Sequence, residues 1–428
     1  MAALPANPAE TRRILFASLI GTTIEFFDFY IYATAAVLVF PTLFFPKGDP
    51  ATAKLQSLAT FALAFFARPV GSALFGHFGD RVGRKATLVT ALLTMGVSTV
   101  LIGLLPTYAS IGVAAAVLLA LCRLGQGLGL GGEWGGAVLL ATENAPPGRQ
   151  GWYGMFPQLG APLGFLCSTG VFLLIGDGLT DAQLFSWGWR VPFLASAVLV
   201  LVGLYIRLQL VETPAFKRSL AQGERVRVPF LVVFSKYPLH LVLGTLGATC
   251  TFVVFYLMTV FALGRATGSL EFGRQEFLIL QMIGVLFFGF TIPISGAIAD
   301  RIGGRTMLII ATSLIIAFGF AFEPLFGSHG TGKALLFLVL GFTVTGLTYG
   351  PLSSALAALF PTAVRYTGTS VAFNFAGILG AALAPSIAAS LASHYGVAYV
   401  GYYLSGAGLV TLAAWLLIGR LPAEKAAR

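Results

Sequence analysis

The chain has 428 residues, 57% of them hydrophobic and only 10% charged, and its mean hydropathy is +0.88. Water-soluble globules carry about a quarter charged residues, so this balance excludes a soluble enzyme, receptor domain or scaffold and leaves a polytopic membrane protein. The formal charge of +10 would suit a nucleic-acid partner, but its distribution along the chain speaks against one, as set out below.

A helical crossing needs about 20 apolar residues. On that measure twelve spans are predicted, over 14–40, 55–78, 86–105, 111–140, 152–175, 191–210, 239–263, 277–299, 306–326, 334–359, 368–391 and 397–418. The first is longer than a signal-peptide core, carries Glu25 and Asp28 and lacks a small-residue cleavage site, so it is expected to stay as a mature span. Cys122, Cys167 and Cys250 are odd in number and fall inside apolar runs, so no disulfide framework is expected. Eighteen of the 26 lysines and arginines lie on the termini and even-numbered connections, against six on the opposite side and two, Arg68 and Arg123, inside the membrane. That asymmetry places both termini in the cytoplasm and makes the basicity topological, so no nucleic acid is expected as a partner.

The halves repeat. Gly76-His-Phe-Gly-Asp-Arg-Val-Gly-Arg-Lys85 follows the second span and Gly296-Ala-Ile-Ala-Asp-Arg-Ile-Gly-Gly-Arg305 the eighth, each a basic, glycine-punctuated turn between apolar runs. The proline-broken turns 143–149 and 360–365 echo each other in the same way, each closing on an arginine. Two similar membrane halves around a central site suit a carrier. The predicted organisation is a six-helix half over 1–210, a cytoplasmic linker over 211–238 and a second six-helix half over 239–428.

The turn Gly79-Asp-Arg-Val-Gly-Arg-Lys85 and its second copy, 299–305, resemble the signature loops of the major facilitator superfamily. The second copy departs from the pattern at Gly304, where the first has Arg84. Gly21-Thr-Thr-Ile-Glu-Phe-Phe-Asp-Phe-Tyr30, Ala67-Arg-Pro-Val-Gly71 and Arg123-Leu-Gly-Gln-Gly-Leu-Gly-Leu-Gly-Gly-Glu-Trp-Gly-Gly136 narrow the resemblance to its metabolite:proton symporter branch, which carries citrate, 2-oxoglutarate, shikimate, or proline and betaine. The resemblance implies an all-α membrane fold of twelve helices in a bacterial inner membrane. It also implies proton-coupled uptake of a small carboxylate or zwitterion, with protons as coupling ion and no other cofactor.

Charges in mid-bilayer cost about 2.5–3.5 kcal/mol or more each and persist where they pair or line a wet path. Five are expected: Glu25, Asp28, Arg68, Arg123 and Glu133. Glu25 and Asp28, three residues apart, share a helical face and can compete for one cation. With three acids against two arginines, the surplus carboxyl is the candidate proton carrier: Asp28, Glu25 or Glu133. Arg68 and Arg123 present the planar fork that matches a substrate carboxylate. A fixed ion network among the five is the structural alternative. Tyr32, one turn beyond Asp28, is expected in the cavity, with Gln126, Gln158, Tyr256, Gln281, Tyr349 and Asn374 as further pocket candidates. Asp80, Arg81, Arg84, Lys85, Asp300, Arg301 and Arg305 are expected to latch the cytoplasmic gate, Asp80 by accepting from the amides opening span three.

His77, His240, His329 and His394 lack metal-ligand spacing, and neither a nucleophile elbow nor a nucleotide loop is present, so no catalytic site and no metal are expected. Proton-antiport export is the competing transport reading, because Gly160-Ala-Pro162 and Gly164 loosely resemble a drug-antiporter motif. The partners expected are a small-molecule substrate, protons and the bilayer, around a monomer.

Overall fold

In hydrocarbon every backbone amide needs a partner within its own segment, and long apolar runs satisfy that need as helices. The computed structural model describes residues 8–46, 50–82, 84–208, 229–361 and 364–420, all helices and short connections. Span one is Pro8–Leu38, span two Pro50–Val82, span three Arg84–Leu104, span four Val113–Glu143, span five Gln150–Gly178 and span six Arg190–Leu208. In the second half, span seven is Pro238–Gly268, span eight Arg274–Ile302, span nine Gly304–Gly319, span ten Thr331–Ala357, span eleven Arg365–His394 and span twelve Val397–Ile418. All twelve predicted spans are present. Span nine is the short one, because its helix stops at Phe320 and resumes as Phe322–Phe326.

Of the expected linker, 209–228 lies outside the described residues, and Pro229–Lys236 is a short helix. Its Val233 packs with Leu241, Phe360 and Val371, so in its packing the second half begins before the expected boundary at residue 239.

Glycine decides how closely span four approaches span two. A β-carbon at Gly127 would sit 2.3 Å from the Ala64 carbonyl oxygen, and one at Gly131 only 2.0 Å from that of Arg68. The two backbones touch where a larger residue would hold them apart, which is the role small residues play in membrane helices. This contact fixes the height of Arg68.

Span four then breaks. The Gly132 and Glu133 amides bond the Gly129 and Leu130 carbonyls in a tighter, three-residue pattern, and the helix restarts at Trp134. Carbonyls at the break are taken by side chains: Ser72 donates to the Gly131 oxygen at 2.5 Å and Tyr366 to the Gly132 oxygen at 2.6 Å. Span seven carries a π turn over Leu257–Phe261, and Gln281 donates to the Met258 and Thr259 carbonyls there.

Candidate functional site

The buried charges sort into two groups that the sequence placed in one. Arg207, near the end of span six, bonds Glu133 through both guanidinium nitrogens, the longer contact measuring 3.1 Å, and Glu25 at 2.6 Å. It also donates to the Leu88 carbonyl at 2.5 Å. Arg207 belongs to the basic side by sequence position, yet its side chain is buried among three other spans. The expected surplus of one acid is therefore corrected to parity, with Glu25, Asp28 and Glu133 against Arg68, Arg123 and Arg207. The surplus was itself the signal for a missing third cation.

Glu25 and Asp28 do not compete for one cation. Asp28 turns toward span six, where Ser196 donates to it at 2.5 Å with Thr99 alongside. Among the described residues it has no ion-pair partner. It is fully buried, so its charge is balanced by no neighbour.

Among the described residues neither of the other two arginines is ion-paired with an acid, which overturns a fixed network of all five charges. Arg123 is packed within 4.1–4.9 Å of the Phe29, Tyr32 and Phe61 ring centres and donates to Gln126 at 2.8 Å and the Phe61 carbonyl at 3.3 Å. Gln126 donates onward to Thr99 at 2.8 Å, so a side-chain chain runs from Arg123 to the neighbourhood of Asp28. Arg68 lies over Phe29 and Phe65 at 5.5 and 5.3 Å, makes no hydrogen bond among the described residues, and faces a central cavity.

That cavity lies between the halves. Span one gives it Phe26 and Tyr30, and span two gives Arg68. From the second half come Phe252, Phe255 and Tyr256 of span seven, Phe288 of span eight, Tyr349 of span ten and Phe373 of span eleven. Phe26 stacks on Tyr30 at 5.5 Å, and Tyr30 meets Phe255 at 5.6 Å. Among the described residues no acid lines it.

Of the expected pocket residues, Arg68, Tyr256 and Tyr349 line the cavity. Tyr32 does not: it follows Asp28 around the helix toward Arg123, and Tyr30, on the opposite side of the same turn, faces the cavity instead. Arg123 lies behind the aromatic wall, and Gln126 and Gln281 serve Arg123 and the π turn. Gln158 and Asn374 tie the halves together. Gln158 accepts from Trp134 at 2.9 Å and donates to the Tyr349 carbonyl at 2.9 Å, while Asn374 donates to Ser72 at 2.5 Å. Trp134 stacks flat on Phe373 with ring centres 3.5 Å apart. These contacts form a floor to the cavity on the basic side.

Closer to that face, Asp300 accepts from the Gly151 and Trp152 amides at 2.7 and 2.9 Å. It caps span five of the other half with its carboxylate at the positive end of a helix. Gly151 and Gly296 meet there, a β-carbon at the former falling 2.7 Å from the latter's carbonyl oxygen. Arg305 instead donates to the Trp415 carbonyl at 2.7 Å within its own half, and Arg301 is exposed. Asp80, Arg81, Arg84 and Lys85 lie outside the residues whose side chains are described. At the opposite face Lys54 donates to the Gly264 carbonyl at 2.8 Å, and Arg274 pairs with Asp181 at 3.3 Å. Contacts between the halves thus lie on both sides of the cavity.

A family model described as Major Facilitator Superfamily matches residues 18–380. The chain belongs to the major facilitator superfamily. Within the superfamily it is 56% identical over 417 residues to the inner membrane metabolite transport protein YhjE of Escherichia coli K12, covering 96% of this chain and 95% of that one. It is 35% identical over 393 residues to the shikimate transporter of the same organism, covering 90% and 89%. It is 32% identical over 419 residues to that organism's proline/betaine transporter, covering 95% and 83%. The xylose transporter XylE of E. coli, in a partially occluded inward-open conformation, superposes with a TM-score of 0.74 at 18% identity over 98% of this chain and 99% of that one, which establishes the fold. The chain is a metabolite transporter of this superfamily and not an enzyme.

Proposed function

We propose that this transporter takes up a small organic acid or zwitterion by proton symport, alternating the access of its central cavity across a bacterial inner membrane. Both termini and the 211–238 linker face the cytoplasm in this reading, the working unit is a monomer, and protons are its only coupling species. The observation that carries it is the pair of buried opposite charges without ion partners: Arg68 on the cavity wall and Asp28 behind it. Removing an acceptor partner from a buried cation is costly, so Arg68 favours a cavity that holds an anion. Asp28 has no cation to balance it, so the charge it can gain or lose is a proton's. Glu25 and Glu133, both engaged by Arg207, hold spans one, four and six together.

Relatives named for shikimate and for proline and betaine support the substrate class, and a structural neighbour described as a proton:xylose symporter supports the coupling. Asp300 on the amides of span five is the latch of the cytoplasmic side. Proteoliposomes under an inward proton gradient test the reading: accumulation of a labelled organic acid or betaine that collapses with an uncoupler is expected. Proton-accelerated efflux would replace symport by export.

A further inference from the structure

The cavity chemistry selects within that substrate class. We infer that the substrate is a small monocarboxylate of net charge −1 with a planar, apolar body, bound by Arg68 and the hydroxyls of Tyr30, Tyr256 and Tyr349 and carried with one proton as an electroneutral pair. This rests on the symport reading above and goes beyond it by naming the chemistry and the stoichiometry.

Three observations carry it. Arg68 is the cationic side chain lining the cavity, and its guanidinium makes no hydrogen bond among the described residues. A guanidinium fork matches the two oxygens of one carboxylate, and a second acid group on the ligand would have no cation, because Arg123 is walled off behind Phe29 and Tyr32. Tyr30, Tyr256 and Tyr349, from spans one, seven and ten, line the cavity with Arg68; the Trp134 indole N–H lies beside the Tyr349 hydroxyl, which keeps its own proton to donate. Four donors from both halves therefore border the place where one anionic group would sit.

The remaining wall is aromatic, with Phe255 and Phe288 5.5 Å apart and Phe288 and Tyr349 5.6 Å apart. The enclosed space is about 20 Å³ in this conformation, so such faces would take a flat apolar body by offset or edge-on stacking once the halves have parted. A primary ammonium would be left unsatisfied, since no acid lines the cavity. A quaternary ammonium can sit on ring faces, and here the charge count decides. Among the described residues the buried acids and arginines number three each, so a monoanion on Arg68 plus a proton on Asp28 leaves the loaded interior neutral. A zwitterion plus that proton would leave a positive charge in low dielectric, at a desolvation cost that no neighbour offsets.

Binding to purified protein in detergent, followed by thermal shift and calorimetry, tests the ligand class with benzoate, glycine betaine, succinate and glycine as probes. Benzoate is expected to bind, with the other three roughly 10-fold weaker or worse, as expected when a buried polar group is left unpaired. Tyr256→Phe and Tyr349→Phe, which keep the ring and remove one donor each, are expected to weaken benzoate several-fold without lowering the melting point, so the test survives if Arg68→Met fails to fold. Betaine or succinate binding as tightly as benzoate overturns the inference, as does indifference to both tyrosine substitutions. In proteoliposomes, benzoate uptake is expected to follow the pH gradient and ignore an imposed membrane potential; a potential-driven current overturns the one-proton pair. The two readings fail separately. Proton-driven accumulation of betaine without benzoate binding sinks the inference and leaves symport standing, whereas benzoate binding without proton-driven flux leaves the site and removes symport.

Discussion

Asp28 and Arg207 show how differently two buried charges can be settled by their neighbours. Asp28 has a hydroxyl donor and no cation, so Asp28→Asn keeps the hydrogen bond to Ser196 and removes only the titratable proton. Proton-driven accumulation by this variant is expected to vanish while substrate exchange between equilibrated compartments survives; equal loss of both in folded protein would remove Asp28 from coupling. Arg207 sits between two carboxylates, and removing one partner of a buried ion pair costs about 3–5 kcal/mol because it strands the other. Arg207→Met is expected to lower the melting point sharply. Adding Glu25→Gln and Glu133→Gln to it should recover much of the loss, since no stranded charge remains, and absence of recovery would mean that Arg207 acts through packing alone.

At the scale of the helix, the glycines of span four set where Arg68 sits. Gly131→Ala would drive a methyl to 2.0 Å from the Arg68 carbonyl, and with backbone on both sides neither helix can yield by a rotamer change. Overpacking of this kind costs about 1–3 kcal/mol. The expected result is a lower melting point together with weakened ligand binding, because the displaced helix carries the cavity's arginine. Gly178→Ala, at the end of span five where a β-carbon meets nothing, serves as the control and should leave both unchanged.

For the whole molecule, closure on the basic side includes a charged contact between the halves, Asp300 on the Gly151 and Trp152 amides. Hydrogen bonds to a charged group contribute about 1.5–3 kcal/mol, so Asp300→Asn is expected to shift the balance between closed and open forms roughly 10-fold or more. The readout is the labelling rate of a cysteine placed at Ser353, which is buried against Gly154 beneath this latch. The rate should rise in Asp300→Asn, and an unchanged rate would show that packing of Gly151 on Gly296 closes this face without it.

The twelve helices, the repeat of the halves and the buried acids were legible in the chain itself, because the bilayer imposes length and hydropathy on each span separately. The signature turns identified the family for a related reason: their glycines and charges are close in sequence. What lay beyond reach were facts of rotation and reach. Tyr32 was assigned to the cavity, and the packing of span one turned it toward Arg123 and brought Phe26 and Tyr30 inward. Arg207 belonged to the surface by its place near the end of a span, and its long side chain carries the charge back among spans one, three and four. A one-dimensional pattern fixes which residues share a helical face. Which neighbour that face meets is decided only when twelve helices compete for the same interior volume.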